Sequence, residues 1–204
     1  MPQIYFEKVK SFCNADIFFW HIKESCEELS VMLADDGLLL AKAQQRFKSL
    51  SRQCEWLAVR ALLQQTPYKN EKILYQSNGK PFFAKCGKHI SISHSRCFVA
   101  VAVSVSPIGV DIESVNRNAL AVASSFLQPH EMEILSTGNS MANDALLLWS
   151  AKEAAFKLAS DKVSVLKEIG ITMNANNYTI IYPDGVTAKC NVSIFDDFVL
   201  AVAQ

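Results

Sequence analysis

Apolar residues recur along this chain at two spacings, and the changes between them predict its elements. Residues 3–9 and 15–22 are rich in aromatic and β-branched residues and predict two strands. Asn14-Ala15-Asp16 supplies turn chemistry between them. Ser25, with Glu28 three residues on, predicts a capping box opening a short helix through Leu33. Asp35-Asp36-Gly37 breaks that pattern. A helical spacing then runs from Leu38 to about Gln65, interrupted near Ser49-Leu50-Ser51, with Leu57, Ala61 and Leu62 as core positions. Residues 72–76 and 81–84 read as a strand pair around Ser77-Asn78-Gly79-Lys80, because Asn-Gly favours a tight turn. Ile90 to Ser95 alternates like a strand, and Phe98 to Val105 is apolar and β-branched but for Ser104, as a buried strand would be. Beyond Asn116 the spacing predicts a loop and short helix to Ser124, and a helix opened by Pro129. A polar loop over Ser136–Asn143 and a long helix over Asp144–Ala159 follow. Residues 169–204 predict three or four antiparallel strands, with Tyr182-Pro183-Asp184-Gly185 as a hairpin turn.

The stretch Ile108-Gly109-Val110-Asp111-Ile112-Glu113 alternates with the period of a half-buried strand. Side chains two apart share a face, so Asp111 and Glu113 project together while Val110 and Ile112 face the core. Two adjacent carboxylates repel unless a cation sits between them. Mg²⁺, which prefers oxygen ligands, is one occupant; a solvated strand end is the plainer account. A faint internal echo accompanies this strand. Phe98-Val99-Ala100-Val101-Ala102-Val103 resembles Phe198-Val199-Leu200-Ala201-Val202-Ala203, and Trp56 through Arg60 parallels Trp149 through Glu153. Each half then reads as a helix packed on a small antiparallel sheet. The expected fold is α+β, with two similar subdomains, 1–105 and 106–204, and a cleft between them.

Composition narrows the function classes. The chain has 204 residues, half of them hydrophobic, and a formal net charge of zero. That balance gives no electrostatic reason to bind nucleic acid or membrane. No apolar run reaches membrane-spanning length, and the first residues lack the apolar run of a signal peptide. The cysteines at 13, 26, 54, 86, 97 and 190 form no C-x-x-C pair and read as reduced thiols of a cytoplasmic protein.

Several polar groups stand out beside their plainer readings. Arg60 lies four residues after Trp56, on the same helix face; a surface arginine is its usual fate. Lys80 sits on the Asn-Gly turn, where its ammonium suits an anion or simple solvation. Ser93, His94 and Ser95 suit phosphate oxygens, or an exposed strand end. No G-x-S-x-G elbow surrounds either serine. Glu153 and Lys157 are i, i+4 on one helix, the order of a simple helical ion pair. Ser150-x-x-Glu153 also fits a capping box, although the apolar residues before it indicate a helix already under way.

Taken together, Asn78-Gly79-Lys80-Pro81, Ser91-Ile92-Ser93-His94-Ser95, Gly109-Val110-Asp111-Ile112-Glu113 and Trp149-Ser150-Ala151-Lys152-Glu153-Ala154-Ala155-Phe156-Lys157 resemble the Sfp-type 4′-phosphopantetheinyl transferases. The resemblance runs from about Arg46 to Leu158. It implies a pseudo-duplicated α+β fold with coenzyme A in the cleft. It implies transfer of phosphopantetheine from coenzyme A to a serine of an apo acyl or peptidyl carrier protein, releasing adenosine 3′,5′-bisphosphate. Asp111, Glu113 and Glu153 match the metal-binding acids, for Mg²⁺ or Mn²⁺. Arg60, Lys80, Ser93 and His94 match positions that hold coenzyme A phosphates. Lys157 matches the active-site lysine, and Glu153 is also the expected proton acceptor. Gln128 stands where the family often has Ser or Thr, which leaves the role of Glu131 open. Carrier docking is expected on Asn116–Leu135, with Phe126 as an apolar contact. Duplication within one chain implies a monomer. Two other readings use the same residues: a metal-dependent coenzyme A pyrophosphate hydrolase, and a coenzyme A or carrier-binding module without catalysis. The hydrolase reading lacks the G-x5-E-x7-R-E-x2-E-E pattern.

Overall fold

A computed structural model gives the fold and describes residues 4–7, 15–137, 140–159, 162–174 and 177–204. Cys13, Asn14 and the outer ends of the first predicted strand lie outside that set. The strands are β1 (Ile4–Glu7), β2 (Ala15–His21), β3 (Ile73–Tyr75), β4 (Pro81–Phe83), β5 (His89–Ser95) and β6 (Phe98–Ser104). After them come β7 (Gly109–Ser114), β8 (Gly170–Asn174), β9 (Asn177–Ile181), β10 (Thr187–Ile194) and β11 (Phe198–Ala203). The helices are α1 (Cys26–Leu33), α2 (Leu38–Arg46), α3 (Leu50–Gln64), α4 (Ala123–Phe126), α5 (Pro129–Thr137) and α6 (Met141–Ala159). Two sheets dominate, ordered β1-β2-β6-β5 and β7-β11-β10-β9-β8, with β3-β4 as a separate ribbon. Every pairing in them is antiparallel.

Strands β6, apolar up to its closing Ser104, and β11, apolar at every position, are buried on both faces, and their alternation separates three cores. Val99, Val101 and Val103 face α1 and α3; Val199, Ala201 and Ala203 face α6. Their alternate residues, Phe98, Ala100, Ala102, Phe198, Leu200 and Val202, meet between the sheets with Val110 and Ile112. The chain is thus layered as helices, sheet, sheet, helices. The two echoed segments are the central strands of the two sheets, and Phe98 and Phe198 touch with ring centroids 5.1 Å apart. The α+β, pseudo-duplicated reading holds.

The Ser25–Glu28 capping box forms as read. Two boundaries and one turn differ. Ala15 and Asp16 belong to β2 rather than to a turn, because they pair with Ser104 and Val103 of β6. The loop over Ser136–Asn143 is shorter than expected. Helix α5 reaches Thr137, and α6 begins at Met141, where the Asp144 amide already bonds Ser140 O at 3.0 Å; residues 138–139 lie outside the described set. The reading of all cysteines as reduced thiols is corrected at one pair. Cys26 and Cys54 are disulfide-bonded, their Cα atoms 4.9 Å apart. Packing of α1 on α3 brings them within bridging range, which a separation of 28 residues does not reveal. Cys86, Cys97 and Cys190 are free.

One close approach places the functional helix. A Cβ on Gly109 would stand 1.9 Å from Ala154 O and 2.8 Å from Leu158 N. Glycine here lets α6 lie directly against β7, bringing Glu153 and Lys157 beside Asp111.

Candidate active site

Strand β5, an edge of the first sheet, runs beside β7, an edge of the second, and serine side chains cross between them. Ser91 Oγ accepts the Val110 amide at 3.0 Å, Ser93 Oγ donates to Asp111 Oδ1 at 2.9 Å, and Ser95 Oγ donates to Glu113 Oε2. The S-x-S-x-S spacing is a side-chain seam between the sheets, with Ser91 and Ser93 buried. The exposed strand end does not hold for Ser93 and Ser95. The hydroxyls of Ser93 and Ser95 turn toward carboxylates rather than to solvent.

Asp111 and Glu113 share a face, as the alternation required, but they do not form a solvated strand end. They are 3% and 7% exposed. Lys157 Nζ donates to Asp111 Oδ1 (2.8 Å), Ser93 Oγ (2.8 Å) and Val110 O (3.0 Å). Those acceptors use all the protons of an ammonium group. The expected Glu153–Lys157 helical pair is therefore replaced by a link from α6 to β7. The capping-box alternative also fails for Glu153, because α6 starts at Met141 and Ser150 Oγ is buried without a partner.

The three acids differ in what surrounds them. Glu113 Oε1 accepts from Trp149 Nε1 at 3.1 Å and Arg117 Nη1 at 3.0 Å, and Oε2 accepts from Ser95. Asp111 Oδ2 is buried and has no partner. Glu153 makes no hydrogen bond or ion pair among the described residues. Burial, then the Asp111 charge, pushes the Glu153 carboxyl above its ordinary range, and Lys157 partly opposes this. Burial followed by Asp111 likewise raises Glu113.

A divalent cation fits the donor set at two points: the orphaned Asp111 Oδ2 and the unengaged Glu153 carboxylate. Both are hard oxygen donors suited to Mg²⁺ or Mn²⁺. Among the described residues no three His, Cys, Asp or Glu side chains are grouped as a ready-made metal cluster. Further ligands would come from the remaining lone pair of Glu113 Oε2, from substrate oxygens and from water, the usual habit of Mg²⁺.

Two adjoining cavities lie beside these groups. One, of about 250 Å³, is lined by Arg46, Arg52, Trp56, Arg60, Tyr75 and His94, among others. The second, of about 360 Å³, is lined by Lys80, Ser91, Phe156 and Lys157, and shares Gly79, Pro81 and Ile92 with the first. Together they make one groove past the Asn78-Gly79 turn, where Gly79 takes φ +86°. Arg60 is not a solvated surface arginine. Its guanidinium lies 3.2 Å from the Trp56 ring centroid and donates to Trp56 O at 2.8 Å, and burial lowers its pKa. His94 stands 3.3 Å from Glu55 Oε2 and within 2.9 Å of Arg52 Nη1. Burial first pulls its pKa down, against the pull of Glu55.

Sequence reasoning missed Arg117, and the contacts of Trp149 and Ser95, around Glu113, and Arg52 and Glu55 around the first cavity, where Arg46 had marked only the start of the resemblance. Trp149 was read as an echo of Trp56 and as the first residue of the Trp149–Lys157 motif, with no partner assigned. The i, i+4 spacing of Glu113 and Arg117 was the available signal, but it lies across a strand end rather than on a helix.

Two expectations change. Phe126 is 1% exposed and packs edge-on against Trp149, ring centroids 5.0 Å apart, so it is a core residue and not a carrier contact. Glu131 now has a structural place. It is fully buried and ion-paired to the equally buried Lys152 at 2.6 Å. Its oxygens also accept the Gln128 and Ile171 amides at 2.7 and 2.8 Å, while Lys152 Nζ donates to Phe126 O at 2.8 Å. This network pins α6 to α5, β8 and the end of α4.

Comparison with known proteins points the same way. Residues 107–203 match the family model of the 4′-phosphopantetheinyl transferase superfamily. The chain is 35% identical over 107 residues to the 4′-phosphopantetheinyl transferase gsp of Aneurinibacillus migulanus, covering 50% of this chain and 45% of that protein. It is 30% identical over 126 residues to the 4′-phosphopantetheinyl transferase of Bacillus subtilis, covering 59% and 56%. The chain thus spans about half the length of the curated relatives it matches. Among solved structures, Thermotoga maritima holo-[acyl-carrier-protein] synthase aligns with a TM-score of 0.41 at 18% identity, over 48% of this chain and 61% of that one, too remote to carry an argument.

Proposed function

We propose that this chain, whose matches support the Sfp-type 4′-phosphopantetheinyl transferases, moves phosphopantetheine from coenzyme A to a serine of an apo acyl or peptidyl carrier protein. The observation that carries the reading is Glu153. It is half-buried, raised in pKa and unengaged, next to an orphaned oxygen of Asp111 and beside a cation-lined groove.

In this reading Arg60 and His94 hold one phosphate end of coenzyme A in the first cavity. Lys80, with Ser93 and Lys157, faces the pyrophosphate in the second. The carrier serine hydroxyl attacks the phosphorus that bears the pantetheine arm. A new O–P bond forms, the bond to adenosine 3′,5′-bisphosphate breaks, and Glu153 accepts the hydroxyl proton. Lys157, held in place by Asp111, Ser93 and Val110 O, neutralises charge building on the phosphate oxygens. Asp111 and Glu153 would hold a divalent ion, Mg²⁺ or Mn²⁺, with Glu113 as the third acid the resemblance assigns. Such an ion, when bound, draws charge from the pyrophosphate. Positioning supplies much of the rest, as in other phosphoryl transfers.

The same proposal divides the chain into units 1–105 and 106–204, with the groove between them, acting as a monomer. A cytoplasmic setting is part of the same proposal: it goes with the free thiols Cys86, Cys97 and Cys190, whereas the Cys26–Cys54 disulfide is a pairing more usual in oxidising compartments. No helix among the described residues is long and apolar enough to cross a membrane. Incubation with coenzyme A, Mg²⁺ and an apo carrier protein, followed by mass measurement of the carrier, tests the function. Cleavage of coenzyme A without a heavier carrier would favour the pyrophosphate hydrolase instead, and no reaction of either kind would favour a binding module.

A further inference from the structure

Helix α3 brings Arg52, Glu55, Trp56 and Arg60 to the wall of the first cavity, yet its first turn is weakly held. Ser49 makes no side-chain cap, no acid stands in that turn, and Leu50 is 65% exposed. An uncapped start leaves backbone N–H groups without intrahelical partners. Gln53 Nε2 donates to Phe47 O at 2.8 Å, which ties the turn to the segment before it. The start of α1 is the opposite case, closed by the full Ser25–Glu28 capping box. Cys26 is the first residue of that helix and is 1% exposed. Its disulfide to Cys54 fastens the loose start of α3 to the firm start of α1. Cys54 directly precedes Glu55, which organises the cavity wall. Glu55 Oε1 accepts from Ser51 Oγ at 3.1 Å, and Oε2 accepts from Arg52 Nη1 at 3.2 Å and stands 3.3 Å from His94 Nδ1. The fold also has a place for the opened pair. Cys26 Sγ lies 3.6 Å from Leu50 O, an acceptor that a thiol S–H can use and a disulfide cannot. Cys54 is only partly buried, so a small thiol can reach its sulfur while Cys26 stays shielded.

We propose that Cys26–Cys54 is a redox latch on the nucleotide end of the coenzyme A site. Closed, it holds the first turns of α3, and with them Arg52, Glu55 and Trp56, in place at the cavity. Open, it releases those turns and weakens binding. A disulfide in a reducing compartment is usually a transient, redox-sensing one, which is how this pair differs from a static cross-link. The chemistry is exchange with a low-molecular-weight thiol of the glutathione class. Its thiolate attacks Cys54 Sγ, the bond between the two Sγ atoms breaks, and Cys26 leaves as a thiolate that takes up a proton. A second molecule of the small thiol then releases Cys54 from the mixed disulfide. Two protein thiols and one small-molecule disulfide result, and the small disulfide closes the latch by the reverse steps. This inference rests on the coenzyme A reading of the cavity, and the test separates the two.

The probe is adenosine 3′,5′-bisphosphate, which carries no thiol of its own to disturb the redox state. Native protein is equilibrated with glutathione, either reduced in large excess or oxidised. Alkylation and peptide mass then read the state of Cys26 and Cys54, circular dichroism reads folding, and calorimetry reads the affinity for the probe. Excess reduced glutathione should open the pair, lower Tm by roughly 4–16 °C and leave the chain folded at room temperature. It should weaken the probe by about 10-fold, the scale on which re-ordering two or three loosened side chains registers in binding. Oxidised glutathione should restore both values. Cys26→Ser/Cys54→Ser should bind like the reduced protein and ignore the redox buffer. A pair that stays oxidised in excess reduced glutathione, equal affinity in the two forms, or a double variant that binds as tightly as the oxidised protein overturns the latch and keeps the coenzyme A site. Unfolding of the whole chain on reduction makes the bond a structural staple and overturns the latch as well. Failure of every form to bind the probe overturns the coenzyme A reading and this proposal with it.

Discussion

Gly109→Ala puts the contact between β7 and α6 to a quantitative test. The added Cβ would lie 1.9 Å from Ala154 O, 2.8 Å from Leu158 N and 3.0 Å from Ala154 C. All three are backbone atoms of α6, so no side-chain rotation relieves the clash. Ordinary contact begins near 3.4 Å, and helix and strand must separate by about 1.5 Å. Overpacking of this kind costs about 1–3 kcal/mol, occasionally more. For a chain of this size that is a fall in Tm of roughly 2–4 °C per kcal/mol. The functional loss should be larger than the loss of stability. Glu153 and Lys157 ride on the displaced helix, and a misplacement of about 1 Å can cost 10²-fold in rate. Thermal melts followed by circular dichroism, together with transfer kinetics at a temperature where the variant is folded, read both quantities. An unchanged Tm with kcat/KM within a few-fold of wild type would refute the packing that places α6.

Other expected outcomes follow from the same geometry. Lys152→Met should cost about 3–5 kcal/mol by stranding buried Glu131, while Glu131→Gln/Lys152→Met should recover most of it; chemical denaturation of the three proteins decides. His94 is depressed below 6.5 by burial, so on acidification the unfolded chain takes up the proton before the folded one. Its contribution is present above pH 6.5 and is lost as the pH falls toward the folded value, and His94→Gln should flatten that part of the stability–pH curve. Arg60→Ala and Lys80→Ala should each raise the KM for coenzyme A. If Arg60 meets the 3′-phosphate, its variant should no longer distinguish coenzyme A from dephospho-coenzyme A, and retained discrimination would contradict that placement.

The layered fold was legible because β11 is apolar at every position and β6 at all but its closing Ser104, a pattern that burial on both faces produces. Their hundred-residue echo then located the pseudo-duplication. The Ser25–Glu28 cap was legible because it is local. What the sequence hid was pairing across elements. Lys157 lies four residues from Glu153, yet bonds Asp111, Ser93 and Val110 O, because Gly109 draws α6 onto β7. Glu131 and Lys152 each look like surface charges until α5 and α6 meet. The disulfide of Cys26 and Cys54 depends on how α1 packs on α3. At Ser93 and Ser95 the residue types were read as polar and functional, but their first partners are carboxylates on β7.

The most direct test of the account is the transfer rate of Glu153→Gln at saturating Mg²⁺, scored by the mass of an apo carrier protein. Neither a helical ion pair with Lys157 nor a cap engages Glu153, so the variant should fold and keep its Tm. High Mg²⁺ restores occupancy but not a base. The account therefore predicts binding of coenzyme A with transfer slowed at least ~10²-fold, the low end of what a general base contributes. A kcat within a few-fold of wild type would contradict it and leave the serine's proton without an acceptor.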